Sequence, residues 1–268
     1  MDLPDLLWWQ WLLGGLAAML VGLAKTGIPG AGILVVPLMA SAFGGRPSVG
    51  TLLPLLIVAD CFAVFWYRRH AQWDKLWGLV PWVAVGLGLG GLVHWLLGDA
   101  TVGGWRSADL FTPLIGLVVL LMLGIHLLRT RLGDRLTPHS RLGVAAAGTG
   151  TGVATTLANA AGPIMTIYLA GKGLPKEQFM GTNAWFFLLL NLSKVPLFLL
   201  VAALPDAAPL ITPASLTIDA CLLPLIVPGV FLGKWLLPRF SNTWFYTAVL
   251  GLAALAALKL LLQPVLGW

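Results

Sequence analysis

The sequence predicts an all-α, polytopic membrane protein built from two inverted-topology repeats with broken, re-entrant helices. Three observations predict it. The composition is too apolar for a water-soluble domain, apolar runs recur along the whole chain, and a glycine-rich break returns in the same order in both halves. Of 268 residues, 59% are hydrophobic and only 10% charged, and the mean hydropathy is +0.91. Soluble domains carry roughly 25% charged residues, whereas a membrane-crossing helix needs about 20 mostly apolar ones. No stretch is polar enough for a separate soluble domain, so residues 1–268 read as one integral membrane domain with short loops.

Apolar segments fall near 6–24, 33–43, 48–68, 77–98 and 109–128, then, after a basic loop, near 142–158, 163–171, 178–203, 214–236 and 242–263. The pieces 33–43 and 163–171 are too short to cross a bilayer core of ~30 Å at ~1.5 Å per residue. Each follows a Gly/Pro/Asn-rich break, which marks a discontinuous or re-entrant element. Basic residues cluster in alternate loops: Arg68, Arg69 and Lys75; Arg129, Arg131, Arg135 and Arg141; Lys172 and Lys176; Lys234 and Arg239. Placing those loops in the cytoplasm puts both termini outside, provided each short piece returns the chain to the side it left. Five segments per half then force opposite orientations on repeat one (about 6–128) and repeat two (about 142–263). "GLAKTGIPGAG" (22–32) aligns with "GVATTLANAAG" (152–162), and "PWVAVGLGLG" (81–90) with "PLIVPGVFLG" (224–233). In the same register Asp60 falls opposite Asn191.

Several function classes are disfavoured. The net charge of +6 sits mostly in those short loops and orients the chain, so no nucleic-acid partner is expected. The start, "MDLPDLLWWQW", has no basic n-region and reads as no signal peptide. The four histidines make no ligand spacing, so no metal site is expected. No G-x-x-x-x-G-K-[ST] motif is present, which argues against ATP hydrolysis within this chain. Cys61 beside Asp60 is the nearest approach to a nucleophile–base pair, so we expect no enzyme and no cofactor. Cys61 and Cys221 themselves read as small core residues, and Asp219 as interfacial. Many of the thirteen tryptophans lie near span ends, Trp8, Trp9 and Trp268 among them, as anchors at the lipid–water boundary.

The breaks carry the chemistry. "TGIPGAG" cannot continue a helix, and the helix restarting near Ile33 leaves unpaired N–H groups with about half a positive charge. "TTLANAAGP" does the same, with Pro163 placed to start the next helix. Two such N-termini facing each other near the midplane would cradle an anion; glycine used for close helix packing is the plainer alternative. The expected cradle comprises Thr26, Gly30 and Gly32 from the first break and Asn159, Ala160 and Gly162 from the second. Lys194 lies deep in "FFLLLNLSKVPLFLL", on one helical face with Asn183 and Asn191, where an unpaired charge costs ~2.5–3.5 kcal/mol even on lenient scales. It reads as the substrate's counter-charge, or as interhelical glue with Asp60. Lys25 either joins it or reaches the interface. Asp60 either pairs structurally or takes a coupling proton or cation.

The stretches "AKTGIPGAGILVVPLMA" and "ANAAGPIMTIYLAGKGLPKEQFMGTNAWFFLLLNLSKVPLF" resemble the TauE/SafE family of sulfite-exporter-like membrane proteins over nearly the whole chain. That resemblance implies a carrier of small sulfur-containing anions, such as sulfite or organosulfonates, in the bacterial inner membrane. The first copy reads "GIPGAG" where many members have a plainer glycine run. The expected function is therefore secondary anion transport by alternating access, with membrane lipid as surroundings and a homo-oligomer left open. An anion channel, or the membrane subunit of a larger transport system, is the alternative.

Overall fold

Each predicted apolar segment folds as a helix. The computed structural model of the chain describes residues 6–27, 31–97, 101–102, 105–136, 138, 140–205, 207–236 and 243–266. Pro29 and Gly30 of the first break, Asp206, Arg239 and Trp268 lie outside the described residues. The helices are α1 (Trp8–Thr26), α2 (Val35–Phe43), α3 (Gly45–Tyr67), α4 (Val80–Leu96), α5 (Ser107–Leu132), α6 (Arg141–Ala158), α7 (Gly162–Ala170), α8 (Lys176–Ala202), α9 (Pro213–Leu236) and α10 (Thr243–Leu266). A two-residue antiparallel pair, Thr101–Val102 with Trp105–Arg106, precedes α5. Four helices are long and apolar enough to cross a membrane by length and composition. Leu12, Leu89, Leu121, Leu200, Phe231 and Leu255 project outward as an apolar perimeter.

The short helices turn the chain back. At the foot of α1 the Thr26 carbonyl accepts from Tyr67 Oη, at the end of α3. α2 then climbs back until Ala42 O accepts from Gln10, near the start of α1. On the other side, α6 ends at Asn159, whose side chain reaches Val49 near the start of α3. α7 returns to the opposite end, where Tyr168 donates to Lys75 O at 2.7 Å. The basic segment 68–75 meets the first turns of α8 at that end, with Gln72 N donating to Thr182 Oγ1 and Trp185 Nε1 to Arg68 O. At the other end Arg46 donates to Ala208 O and Trp95 to Pro205 O.

Two glycine seams hold the bundle. α1 packs along α9, and α4 along α6; α3 crosses α8, and α5 lies against α10. In the first seam a Cβ on Gly22 would lie 2.4 Å from Ile226 O, and one on Gly229 2.1 Å from Met19 O. The Thr26 hydroxyl donates across to Val230 O at 2.8 Å and back to Gly22 O at 2.9 Å. The second seam uses the same residue types. A Cβ on Gly152 would meet Val83 O at 2.4 Å, and one on Gly86 would meet Thr149 O at 2.2 Å. Thr156 Oγ1 donates to Gly152 O at 2.8 Å, and its carbonyl receives His94 Nε2 at 2.9 Å. Small residues at such crossings let backbones approach closely where lipid supplies no hydrophobic drive.

Two expectations need correction. Cys61 and Cys221 are exposed on the perimeter rather than packed in the core. A membrane helix is apolar on its lipid face as well as its inner one, so an apolar run does not say which face a residue takes. Asp219 is buried, 2% exposed, on the α9 face that also carries Leu222, Ile226 and Gly229. His94, isolated in sequence, is buried and stacked on Phe111 at 4.7 Å.

The seams make a direct prediction. Gly229→Val should lower the thermal stability of the detergent-solubilised protein by ~1–3 kcal/mol through overpacking. Gly88→Ala, where an added Cβ meets nothing within 4 Å, should leave the melting curve in place.

Candidate functional site

A cavity of about 110 Å³ lies where the two breaks approach the centre of the bundle. Its wall takes Lys25 from α1, Gly32 from the turn Ala31–Ile33, and Thr155 and Asn159 from α6. Ala160 and Gly162 contribute from the second break, and Asn183, Phe187 and Asn191 from α8. Drug-sized ligands occupy ~300–1,000 Å³, so this space suits a small ion with a few waters. It lies deep in an apolar bundle, where each polar group must find a partner or serve a ligand.

The polar groups form two sets, one at each break, and α8 contributes to both. Lys25 Nζ lies 2.7 Å from Asp60 Oδ1 and 4.2 Å above the Phe187 ring. Asp60, fully buried on α3, accepts on Oδ2 from Asn191 Nδ2 at 2.7 Å. One turn further along α8, the buried Lys194 donates to Asn159 Oδ1, to Thr155 Oγ1 at 3.2 Å and to Thr155 O at 3.4 Å. Three acceptors at one nitrogen match the three donors of an ammonium.

Local sequence explains the second break. Asn159 is the one non-glycine described residue with positive φ, at 53°, a conformation Asn tolerates because its short amide bonds locally. Ala160 N then bonds Ala154 O at 3.2 Å, closing α6. Pro163 sits in the first turn of α7, where its missing N–H costs nothing. The Asn159 amide is fully engaged, with Oδ1 on Lys194 and Nδ2 on Val49 O at 3.1 Å. Lys194 thus fixes the break that Asn159 makes.

Of the residues expected in the cradle, Lys25, Gly32, Asn159, Ala160, Gly162, Asn183 and Asn191 line the cavity. Lys194 does not; it sits one side chain behind the wall, holding Asn159 and Thr155. Thr26 does not line it either, and its hydroxyl is spent on the α1–α9 seam. Gly30 lies outside the described residues. Asn183 lines the cavity with its buried Oδ1 lacking a hydrogen-bond partner among the described residues. Asn191 commits its NH₂ to Asp60, leaving its own Oδ1 unpaired.

Sequence reasoning missed Thr155, Phe187 and His126. Thr155 aligns with Lys25 in the repeat register, a signal already present. Phe187 stands between Asn183 and Asn191 at helical spacing, four residues from each. His126 carried no signal, since it stands near the end of the segment 109–128, beside the basic loop, whereas α5 runs on to Leu132.

Glycines divide by what faces them. Gly22, Gly86, Gly152 and Gly229 face backbone of a neighbouring helix. A Cβ on Gly162 would meet nothing within 4 Å, and one on Gly32 only Ala24 at an ordinary 3.5 Å. Helix packing therefore explains the seam glycines but not these two.

The family model described as Sulfite exporter TauE/SafE matches residues 12–260 of the chain. No curated protein and no solved structure matches it.

If the open face of Gly162 serves a ligand, Gly162→Ala should leave the melting curve of the empty protein unchanged while weakening small-anion binding several-fold. Titration calorimetry on the two proteins reads both effects. An unaltered affinity would detach Gly162 from the site.

Proposed function

Because the chain belongs to the sulfite exporter TauE/SafE family, a family of multi-pass membrane transport proteins, we propose that it is a secondary transporter of small sulfur-containing anions. Sulfite and organosulfonates are its substrates in this reading, and the bacterial inner membrane its location. The single observation that carries the reading is the small cavity between the two helix breaks, with the Lys25 ammonium in its wall. α7 starts at the same space, through Gly162 and Pro163 in the cavity wall, which brings the partial positive charge of its N-terminus there. Asn183 offers a free amide, and Gly32 and Gly162 leave room for close backbone approach.

In this reading residues about 6–128 and 142–263 are inverted repeats. Supporting it, the packing pairs α1–α9, α4–α6, α3–α8 and α5–α10 map onto themselves when the first five helices are exchanged with the last five. The two glycine seams exchange in the same operation, as do the two nine-residue helices α2 and α7. Asp60 and Asn191, opposite each other in the repeat register, are hydrogen-bonded to one another, as residues on a pseudo-twofold axis would be. Alternating access would rock the seam-locked pairs against the α3–α8 crossing, opening the cavity to one end at a time. Lys25 binds the anion directly, and Lys194 acts through Asn159 by holding the second break in shape.

Counterflow in proteoliposomes tests the proposal. Labelled sulfite or methanesulfonate should exchange against unlabelled anion on the other side, with Lys25→Ala abolishing exchange and Lys194→Ala reducing it at least about tenfold. A true ligand at a hundred times its dissociation constant should add ~2.7 kcal/mol of stability. Conductance far above carrier turnover, without counterflow, would replace the carrier by a channel.

A further inference from the structure

Among the described residues, two titratable side chains stand in the cavity wall, Lys25 and His126. Lys25 is held by Asp60. His126 is half-buried on α5, and among the described residues its imidazole makes no hydrogen bond and no ion pair. An ionisable side chain inside a membrane bundle marks an ion or substrate pathway far more often than it supports the helix that carries it. Neither packing nor pairing accounts for this ring.

Its place in the cavity follows from the packing of α5. α10 runs antiparallel to it: Lys259 and Gln263 share a groove with Thr112, whereas Leu250 shares the cavity with His126. α7 adds Thr166 to the same wall and, two residues later, donates from Tyr168 to Lys75 O. His126 therefore stands at the end of the cavity nearer the basic segment 68–75, one turn before Arg129.

Few charges face it. Arg129 comes from its own helix and Lys25 from the cavity wall. Groups on the other elements packed against α5 point elsewhere. Asp60 of α3 is taken by Lys25 and Asn191, Tyr168 of α7 by Lys75 O, Lys259 of α10 lies in the far groove, and Arg141 is exposed at the start of α6. No acid lines the cavity among the described residues. An empty cavity thus offers the ring no negative partner, and an anion supplies one. Imidazole is the side chain that changes charge near neutrality, ordinarily at ~6.5, so it can gain a proton with the anion and lose it with the anion.

We propose that His126 takes up a proton when the anion binds, making the proton the coupling ion of transport. The inference rests on the anion-site reading above and adds the coupling ion to it. Water supplies the proton to a ring nitrogen, the N–H so formed donates to an oxygen of the anion, and both are released when the anion departs. A monoanion and its proton carry no net charge between the two sides. Accumulation then follows the pH difference, about tenfold for each unit, and not the membrane potential. Because the filled site holds more protons than the empty one, affinity rises as pH falls.

Methanesulfonate stays ionised throughout the neutral range, so a proton taken up with it goes to the protein. Its binding to the purified full-length protein would be measured by titration calorimetry near pH 6.5, in buffers of different ionisation heat, which reads the protons gained per anion bound. Wild type should gain at least about 0.3 proton per anion, and its affinity should fall at least about threefold between about pH 6 and about pH 8. His126→Gln keeps an N–H donor but cannot change charge; it should bind with no proton gained and with one affinity across that range. Binding to wild type without proton uptake would overturn the inference and leave the anion site standing. Undiminished uptake in a monodisperse His126→Gln protein would overturn it too, with His126→Asn in its place should that variant not fold. If wild type bound neither methanesulfonate nor sulfite, the anion-site reading itself would fall, and the coupling inference with it.

Discussion

The ion pair between Lys25 and Asp60 is the contact on which the site depends. Neither charge could stay at this depth alone, because burying an isolated ion in an apolar medium costs far more than a folded chain has to spare. Their pairing ties the end of α1, where the chain breaks, to the middle of α3, and Asn191 extends the tie to α8. Lys194 makes a second set at the other break, with Asn159 and Thr155. Two irregular stretches of backbone, which lipid would not tolerate, are each held by their own set of polar groups, and α8 carries a member of both. Because nearly every member has its partners, the arrangement is fixed rather than fluid. Asn183 and the free oxygen of Asn191 are left over for something else.

The seams do a different job. They bring α1 to α9 and α4 to α6 at backbone contact distance, so each pair is packed as one unit. The α3–α8 crossing carries the charges instead of glycines. Rigid pairs beside a polar crossing give a bundle with stiff outer elements and a centre whose contacts are few and specific. A carrier needs that division, since packed cores switch between discrete arrangements rather than deform continuously.

Much of this was legible in the chain because the bilayer makes polarity costly. A lysine in "FFLLLNLSKVPLFLL" or an aspartate in "LIVADCFAVFW" stands out against its surroundings, and the two short pieces after the breaks could be counted from length alone. What remained hidden was direction. The stripe Asn183–Asn191–Lys194 was visible, but not that Lys194 would reach back to Asn159 while Lys25 took the cavity wall. A four-carbon stem covers more than one helical turn, and its end is placed by tertiary contacts. Gly162 and Gly152 look alike in sequence; they differ only in whether a neighbour's carbonyl or open space lies opposite. Cys61 was placed in the core for the same reason, since lipid and protein interior ask for the same residues.

The Thr26–Val230 hydrogen bond joins positions 204 residues apart in the chain. During synthesis α1 is made long before its seam partner, for α9 lies some two hundred residues further along the chain. Until then the glycine face of α1 is bare and Lys25 has only Asp60 for company. The α4–α6 seam, by contrast, closes as soon as the middle of the chain is inserted. Assembly is therefore asymmetric in time even where the packing pairs exchange between the halves.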